Sequence, residues 1–255
     1  MTSKRILAKI GGSTLGQHDT TLEDLVWLQQ EGYLPIVVHG GGRIITQWLN
    51  RQGSTSRFVD GLRVTDEASI EIVIAVLGGL VNKTLVADLN ALGGRAVGIS
   101  GADGAMFRAR IKDPSLGLVG EITRVDTGPL EALVQDGYLP VISPIGVLEG
   151  DTAPARTLLN INADTVAADV GAAMEVALFI FLTDVPGIQD GEGRLLSHLS
   201  QAQARNLINA GVISGGMIPK VKACLRALER VPAALILDGR RSHVLQDCMA
   251  GEIIG

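Results

Sequence analysis

Short apolar runs alternate with helical patterns along almost the whole chain. Arg5-Ile6-Leu7-Ala8-Lys9-Ile10 predicts a strand, ended by Gly11-Gly12-Ser13. Thr20 or Thr21 can cap a helix carrying Leu22, Leu25, Val26 and Leu28, which Gly32 stops. Pro35 to His39 predicts a second buried strand, running straight into Gly40-Gly41-Gly42. Ile44, Ile45, Trp48 and Leu49 then fall at helical spacing. Two strands joined by one short helix are expected to run parallel.

Further on, Arg57 to Asp66 predicts a hairpin with Asp60-Gly61 at its turn. A long helical stretch follows from about Glu67 to Leu92, apolar nearly all round from Ile70 to Leu80, as in a helix buried centrally or in a subunit contact. Gly78-Gly79 inside it predict a second backbone packed close. Ala96 to Ser100 predicts a buried strand, and residues 106 to 124 a second hairpin around Pro114-Ser115-Leu116-Gly117. Pro129 to Gln135 is helical, Tyr138 to Ser143 a strand, and Gly146 to Gly150 a turn region. Asn160 and Asn162 lie in the approach to a helix whose first turn holds Asp164, and Asn162 suits its cap. Val176 to Leu182 is the most apolar strand. Leu199 to Ala210 is amphipathic, Gly215-Gly216 open a helix with Pro219 near its first turn, and Ala233 to Asp238 is the last clear strand. Strands alternating with helices predict an α/β fold: a three-layer αβα sandwich on a mostly parallel central sheet, with the two hairpins as a lid.

Composition narrows the function. Of 255 residues, 46% are hydrophobic but only 3% aromatic, so the core is aliphatic. A net charge of −5 without a basic run argues against nucleic acid as a partner. Cys224 and Cys248 lie far apart without metal-ligand spacing. Two thiols and no signal peptide fit a reducing, cytoplasmic location. No apolar run reaches ~18 residues, so no membrane span is expected.

The candidate chemistry is anionic. Three successive glycines between a strand and a helix let backbone N–H groups approach an anion, where the helix dipole adds its field. Lys9 interrupts an apolar strand just before two glycines, either as an edge charge or as an anion contact. Arg63 alternates with Leu62 and Val64 and, taken alone, is a solvated strand charge. Lys220 opposes its helix dipole, a penalty that a neighbouring anion would offset. Two motif searches fail. Leu77 to Thr84 lacks the glycines of a P-loop, and Gly98 to Ala102 lacks the last glycine of a nucleophile elbow. His39 is structural in this reading.

In chain order, Lys9-Ile10-Gly11-Gly12, His39-Gly40-Gly41-Gly42, Gly61-Leu62-Arg63-Val64-Thr65, Asn160-Ile161-Asn162-Ala163-Asp164, Thr183-Asp184-Val185-Pro186-Gly187 and Gly216-Met217-Ile218-Pro219-Lys220 resemble the amino acid kinase family. Within it they resemble most the members that phosphorylate N-acetyl-L-glutamate. The resemblance implies ATP-dependent phosphorylation of that side-chain carboxylate, in arginine biosynthesis, with Mg²⁺ carried by ATP and no metal site of the protein's own. It implies that Lys9 and Lys220 stabilise the transition state and that Asp164 holds both. Gly12 and Gly41 would give N–H groups to the transferred phosphoryl, with Gly11 beside them. Gly41, Gly42, Arg63 and Asn160 match substrate positions. Asp184, Val185, Pro186, Gly187, Ile188 and Gln189, with Val212, Ile213 and Ser214, match the nucleotide loops. One kinase domain over 1–255 is expected, with a substrate lobe at about 1–174 and a nucleotide lobe at about 175–255. The chain ends at Gly255, slightly short of the usual family terminus, and starts directly with its first strand. Arginine-inhibited relatives carry an N-terminal helix that joins dimers into a hexamer, so the expectation here is a homodimer that arginine does not inhibit. The rival within the family is a kinase for carrier-protein-bound α-aminoadipate or glutamate.

Overall fold

The computed structural model describes residues 4–11, 20–150 and 157–251. Gly12, expected at the phosphoryl group, lies outside them. Six parallel strands form the central sheet: β1 (Arg5–Ile10), β2 (Leu34–His39), β5 (Ala96–Ser100), β8 (Leu139–Ser143), β11 (Leu178–Thr183) and β12 (Ala234–Asp238), in the spatial order β12-β11-β1-β2-β8-β5. Both faces of this sheet are covered, and neighbouring residues of one strand serve opposite cores. Ile6, Ala8 and Ile10 join one cluster with α1 (Thr21–Gln30), α2 (Gly42–Arg51), α3 (Glu67–Ile74), α4 (Asn82–Ala91) and α9 (Val244–Ala250). Leu7, Ile36, Val38, Phe179 and Phe181 join the other with α5 (Gly128–Gln135), α6 (Ala163–Ala173) and α8 (Met217–Ala227). This is the expected αβα sandwich, and double burial explains why its strands read as continuous apolar runs.

Four strands stand apart from that sheet. β6 (Phe107–Ile111), β7 (Val119–Val125), β9 (Ile145–Leu148) and β10 (Leu158–Ile161) close a small barrel. The second expected hairpin is therefore real, as β6–β7, but its strands are built into a barrel rather than left free as a lid. The expected turn at Gly146 to Gly150 is instead largely strand β9, because Leu158, Leu159 and Asn160 supply an antiparallel partner. The first hairpin pairs β3 (Phe58–Val59) with β4 (Leu62–Arg63) across Asp60-Gly61, both residues at positive φ (49° and 78°). α7 (Gln201–Asn209) fills the amphipathic stretch before α8.

The central helical run departs from the α period at Ala75–Val81, which is π-helical. Gly78-Gly79 do not admit a second backbone as expected. A Cβ at Gly78 would meet only the Ile145 side chain at 3.3 Å, and one at Gly79 would meet nothing within 4 Å. By length and composition Glu67–Ala91 is apolar enough to cross a membrane. Its Ile70, Val73, Val76, Leu77, Leu85 and Leu89 are instead packed in the sheet core.

Two local expectations changed. Thr20 precedes α1 without capping it, and its hydroxyl accepts a hydrogen bond from the His243 N–H at 2.5 Å. α9 carries too little periodic pattern to be expected. It is capped from 221 residues away, where the buried Asp24 carboxylate accepts from the Leu245 N–H.

Candidate active site

Parallel pairing of β1 with β2 puts Ile10 beside His39, and the Gly40 N–H donates to the Ile10 carbonyl at 3.1 Å. The two glycine turns therefore emerge side by side at the carboxyl edge of the sheet, where α/β proteins build their sites. α2 begins beyond Gly41, and no side chain caps its N-terminus. A Cβ on Gly41 would come within 2.7 Å of the Leu77 Cδ2 methyl, so the π-helical segment packs close against this turn.

A cavity of about 220 Å³ opens at this edge, lined by Lys9, Gly41, Gly42, Arg63, Asn160 and Asp164 among others. Elements distant in sequence thus converge on it: β1, the α2 turn, the β3–β4 hairpin, β10 and α6. Lys9 is only 8% exposed and pairs with Asp164 (Nζ to Oδ1, 2.7 Å). Its ammonium also sits 5.7 Å from the centre of the Phe181 ring. Asn162 caps α6 as expected, its Oδ1 accepting from the N–H groups of Asp164 and Thr165. Asp164 is thereby held in the first turn, facing Lys9.

Arg63 is not solvated. It is 7% exposed, and burial lowers its proton affinity. Its Nη2 donates to the Gly42 carbonyl at 2.7 Å and to Thr46 Oγ1 at 2.9 Å, and its Nη1 donates to Ser56 Oγ. Phe58, its cross-strand partner in the hairpin, stacks on it at 4.7 Å. The charge is affordable in this buried position because the turn of α2 and the hairpin supply its partners. Both parallel N–H pairs of a guanidinium include Nη2 hydrogens, and both of these are engaged. Asn160 is tied to the same frame. Its Nδ2 donates to Thr65 Oγ1 at 3.0 Å, and Thr65 donates to the Arg63 carbonyl at 3.1 Å.

Lys220 is elsewhere. It lies in the first turn of α8, and its Nζ donates to the Gly216 carbonyl one turn back at 3.0 Å, not to Asp164. The expected bond of Asp164 to two lysines is present only for Lys9. α6 and α8 nevertheless pack on each other. Cys224, one turn after Lys220, has its thiol pushed up to about 12 by burial and by the Asp164 charge.

A second cavity of about 490 Å³ lies along β12 and α8, lined by Pro186, Gly187, Ile188, Leu225, Ile236 and Arg241 among others. The other loop candidates do not line it. Asp184 and Gln189 are exposed, Val185 is half-buried, and Gln189 bridges to Leu195. Ile213 is buried in a small cluster with Ala204, Val221 and Leu225, leaving Ser214 exposed and Val212 half-buried. Gly11 follows β1 and is half-buried. Among the described residues, no three His, Cys, Asp or Glu gather as a metal site.

Sequence reasoning missed Phe58, Leu77 and Thr65 at the site. Phe58 was findable, since a two-residue turn at Asp60-Gly61 sets it opposite Arg63. Thr65 stood inside the quoted Gly61-to-Thr65 motif without a role of its own, and Leu77 carried no local signal.

An acetylglutamate kinase of Synechococcus sp. (strain RCC307) is 46% identical over 251 residues, covering 95% of this chain and 83% of its own. One from Dehalococcoides mccartyi (strain ATCC BAA-2100 / JCM 16839 / KCTC 5957 / BAV1) is 40% identical over 241 residues, covering 94% and 89%. Among solved structures, smu.665 from Streptococcus mutans UA159 superposes with a TM-score of 0.82 at 27% identity, covering 92% of this chain and 95% of that one. The sequence profile of the amino acid kinase family matches residues 4–238. That match runs from the residue before β1 to the last residue of β12, and it settles the assignment: the chain belongs to the amino acid kinase family.

Proposed function

We propose that this protein transfers the terminal phosphoryl group of ATP to the side-chain carboxylate of N-acetyl-L-glutamate, a step of arginine biosynthesis. The observation that carries this reading is one small cavity that buries both Lys9 and Arg63 beside uncapped glycine N–H groups. Two buried cations and a helix N-terminus suit an acidic substrate meeting a phosphate. A carboxylate is ionised at pH 7, so attack needs no general base. One carboxylate oxygen bonds to the γ-phosphorus while the bond from that phosphorus to the β,γ-bridging oxygen breaks, and its electron pair leaves with ADP. The barrier is the approach of two anions, lowered by positioning and positive charge.

In this reading Lys9 faces the transferred phosphoryl, with Asp164 orienting its ammonium. Lys220 joins them by swinging from the Gly216 carbonyl. Arg63 and Asn160, with Gly41 and Gly42, take the acylated amino acid. Because Nη2 of Arg63 is already engaged, its contact with the substrate carboxylate is a single charged one, not the parallel pair that an open guanidinium would give. Residues 184–189 and 212–214 take the nucleotide, whose apolar part enters the cavity along β12. Mg²⁺ arrives with the triphosphate and supplies further charge neutralisation there. The lobes, about 1–174 and 175–255, share one sheet through the β1–β11 pair. The enzyme works in the cytoplasm as a homodimer joined through the outward face of the central helix.

The test is ADP release with purified protein against glutamate, aspartate and α-aminoadipate, each with and without the N-acetyl group. Turnover is expected with N-acetyl-L-glutamate and not with free glutamate. Turnover only when the amino acid is attached to a carrier protein would replace this reading with the carrier-dependent one.

A further inference from the structure

His39 has no part in that chemistry, yet it is fully enclosed beside the glycine turn. Its side chain is wholly buried (0% exposed) at the end of β2, with polar partners on both sides of the ring. Nδ1 lies 2.9 Å from the Gly40 carbonyl oxygen. A carbonyl only accepts, so the proton of this pair is on Nδ1. Nε2 lies 3.2 Å from Asn82 Nδ2, an amide nitrogen that only donates, so Nε2 presents its lone pair. The orientation of that amide is fixed in turn. Asn82 Nδ2 also donates to the Val141 carbonyl at 2.8 Å, and its Oδ1 accepts from Lys83 Nζ at 3.1 Å. Lys83 completes the chain by donating to the Gly98 carbonyl at 3.1 Å. Gly98 leaves the room this needs, since a Cβ there would sit 2.0 Å from Asn82 Oδ1. Every polar atom is matched only when the ring is neutral and carries its proton on Nδ1.

The surroundings favour that state. Burial and the ammonium groups of Lys9 and Lys83 push the ring down to about 4, against the opposing pull of the Gly40 carbonyl. These two lysines come from β1, which pairs with β2, and from α4, which packs against β5 and β8.

The consequence lies in the next peptide. In a planar trans peptide the carbonyl and the following N–H point in opposite directions. Holding the Gly40 carbonyl on the ring turns the Gly41 N–H away from it. Gly41 lines the small cavity, with Leu77 packed beside it. Glycine has no side chain to hold its own peptide, so the orientation must come from a neighbour.

We propose that His39 is a positioning residue: its Nδ1–H clamps the Gly40 carbonyl and so aims the Gly41 N–H at the anion in the cavity, while Asn82 dictates the tautomer. The inference rests on the phosphoryl-transfer reading for the identity of that anion, but the clamp itself is a property of the free protein.

Two measurements test it. Ring ¹⁵N NMR of the wild-type protein without ligands should show a protonated Nδ1 and an unprotonated Nε2 at pH 7, unchanged down to about pH 5. An Nε2-protonated ring, or an imidazolium forming above about pH 6, would overturn the clamp. In His39→Asn the amide N–H sits near the place of Nδ1, and in His39→Gln near the place of Nε2. His39→Gln should lower kcat about tenfold or more with both KM values within about threefold, since an anion-binding donor has lost its aim. His39→Asn should restore kcat to within about threefold of wild type. Equal kcat in the two variants, whether high or low, would overturn the proposal. Wild-type protein inactive on every acylated amino acid would sink the functional reading and leave the NMR result standing by itself.

Discussion

Arg63 is a structural tie, and in the function proposed above it is also a substrate contact. Of its five N–H donors, bonds to Gly42, Thr46 and Ser56 already occupy three. Arg63→Ala should raise the KM for N-acetyl-L-glutamate by about tenfold or more, the usual scale for losing a buried charged contact, with the KM for ATP within about threefold. An equal rise in both would remove Arg63 from the acyl amino acid. Asp164 is argued differently, because its partner is observed. It pairs with Lys9 at 2.7 Å in a nearly buried place, and in the function proposed above its work is orientation and charge. Asp164→Asn keeps size and most hydrogen bonding but releases Lys9. It should lose on the order of 10²-fold in kcat, comparable with losing one oxyanion donor. The unfolding midpoint should barely fall, because relief of a desolvated charge offsets a lost pair. Wild-type turnover by that variant at saturating substrates would leave Asp164 as a helix-end residue only.

In the function proposed above, helix α8 must be held so that Lys220 can reach the site from its own first turn. The hold is visible farther along the same two helices, where Arg226 Nε meets Asp169 Oδ1 at 2.5 Å. Asp169 Oδ2 is buried without a hydrogen-bond partner among the described residues. Burial, and Glu121 on β7, outweigh Arg226 and push Asp169 up to about 6. A carboxyl whose folded-state pKa is raised binds its proton more tightly when folded. Its ionisation therefore costs stability, and that cost appears as pH rises through about 4 to 6. His39 works with the opposite sign. It is held neutral in the fold, so stability is lost as pH falls from 6.5 towards about 4. The two effects overlap, and only a difference between variant and wild type separates them. Asp169→Asn should melt at least as high as wild type at pH 8, by up to roughly 2–4 °C. Arg226 is half exposed and can be solvated in the variant. As the pH falls from about 6 to about 4, wild type should gain on the variant. Thermal melts of both proteins at several pH values check this, and a gap that widens on acidification would contradict it.

For the whole molecule, the central helix has one face in the core and another open to solvent. Ala75, Gly79 and Leu80 lie on the open side, with Leu80 44% exposed. Sedimentation should report a two-chain particle, and Leu80→Asp should shift it to the monomer, because a charge in an apolar contact is left unpaired. A wild-type monomer at all accessible concentrations would end the dimer reading. Much of the fold was legible beforehand where the signal is local. The apolar runs of β1, β2 and β11, the Asp60-Gly61 turn and the Asn162 cap are each specified within a few residues, by side-chain period, φ preference or one short hydrogen bond. The glycine turn and Lys9 likewise marked the candidate site from sequence, and they line one cavity in the fold. What stayed hidden depends on partners far along the chain. β9 is a strand because β10 pairs with it, and α9 is capped by Asp24. Arg63 is buried because Gly42, Thr46 and Ser56 surround it, and His39 is oriented by Asn82, 43 residues away. Sequence by itself thus determined those strands, that turn and that helix start, whose energies are local. Tertiary structure alone decided which charges are buried and which carbonyls are held, since those energies exist only once closing the long loops has brought the partners together.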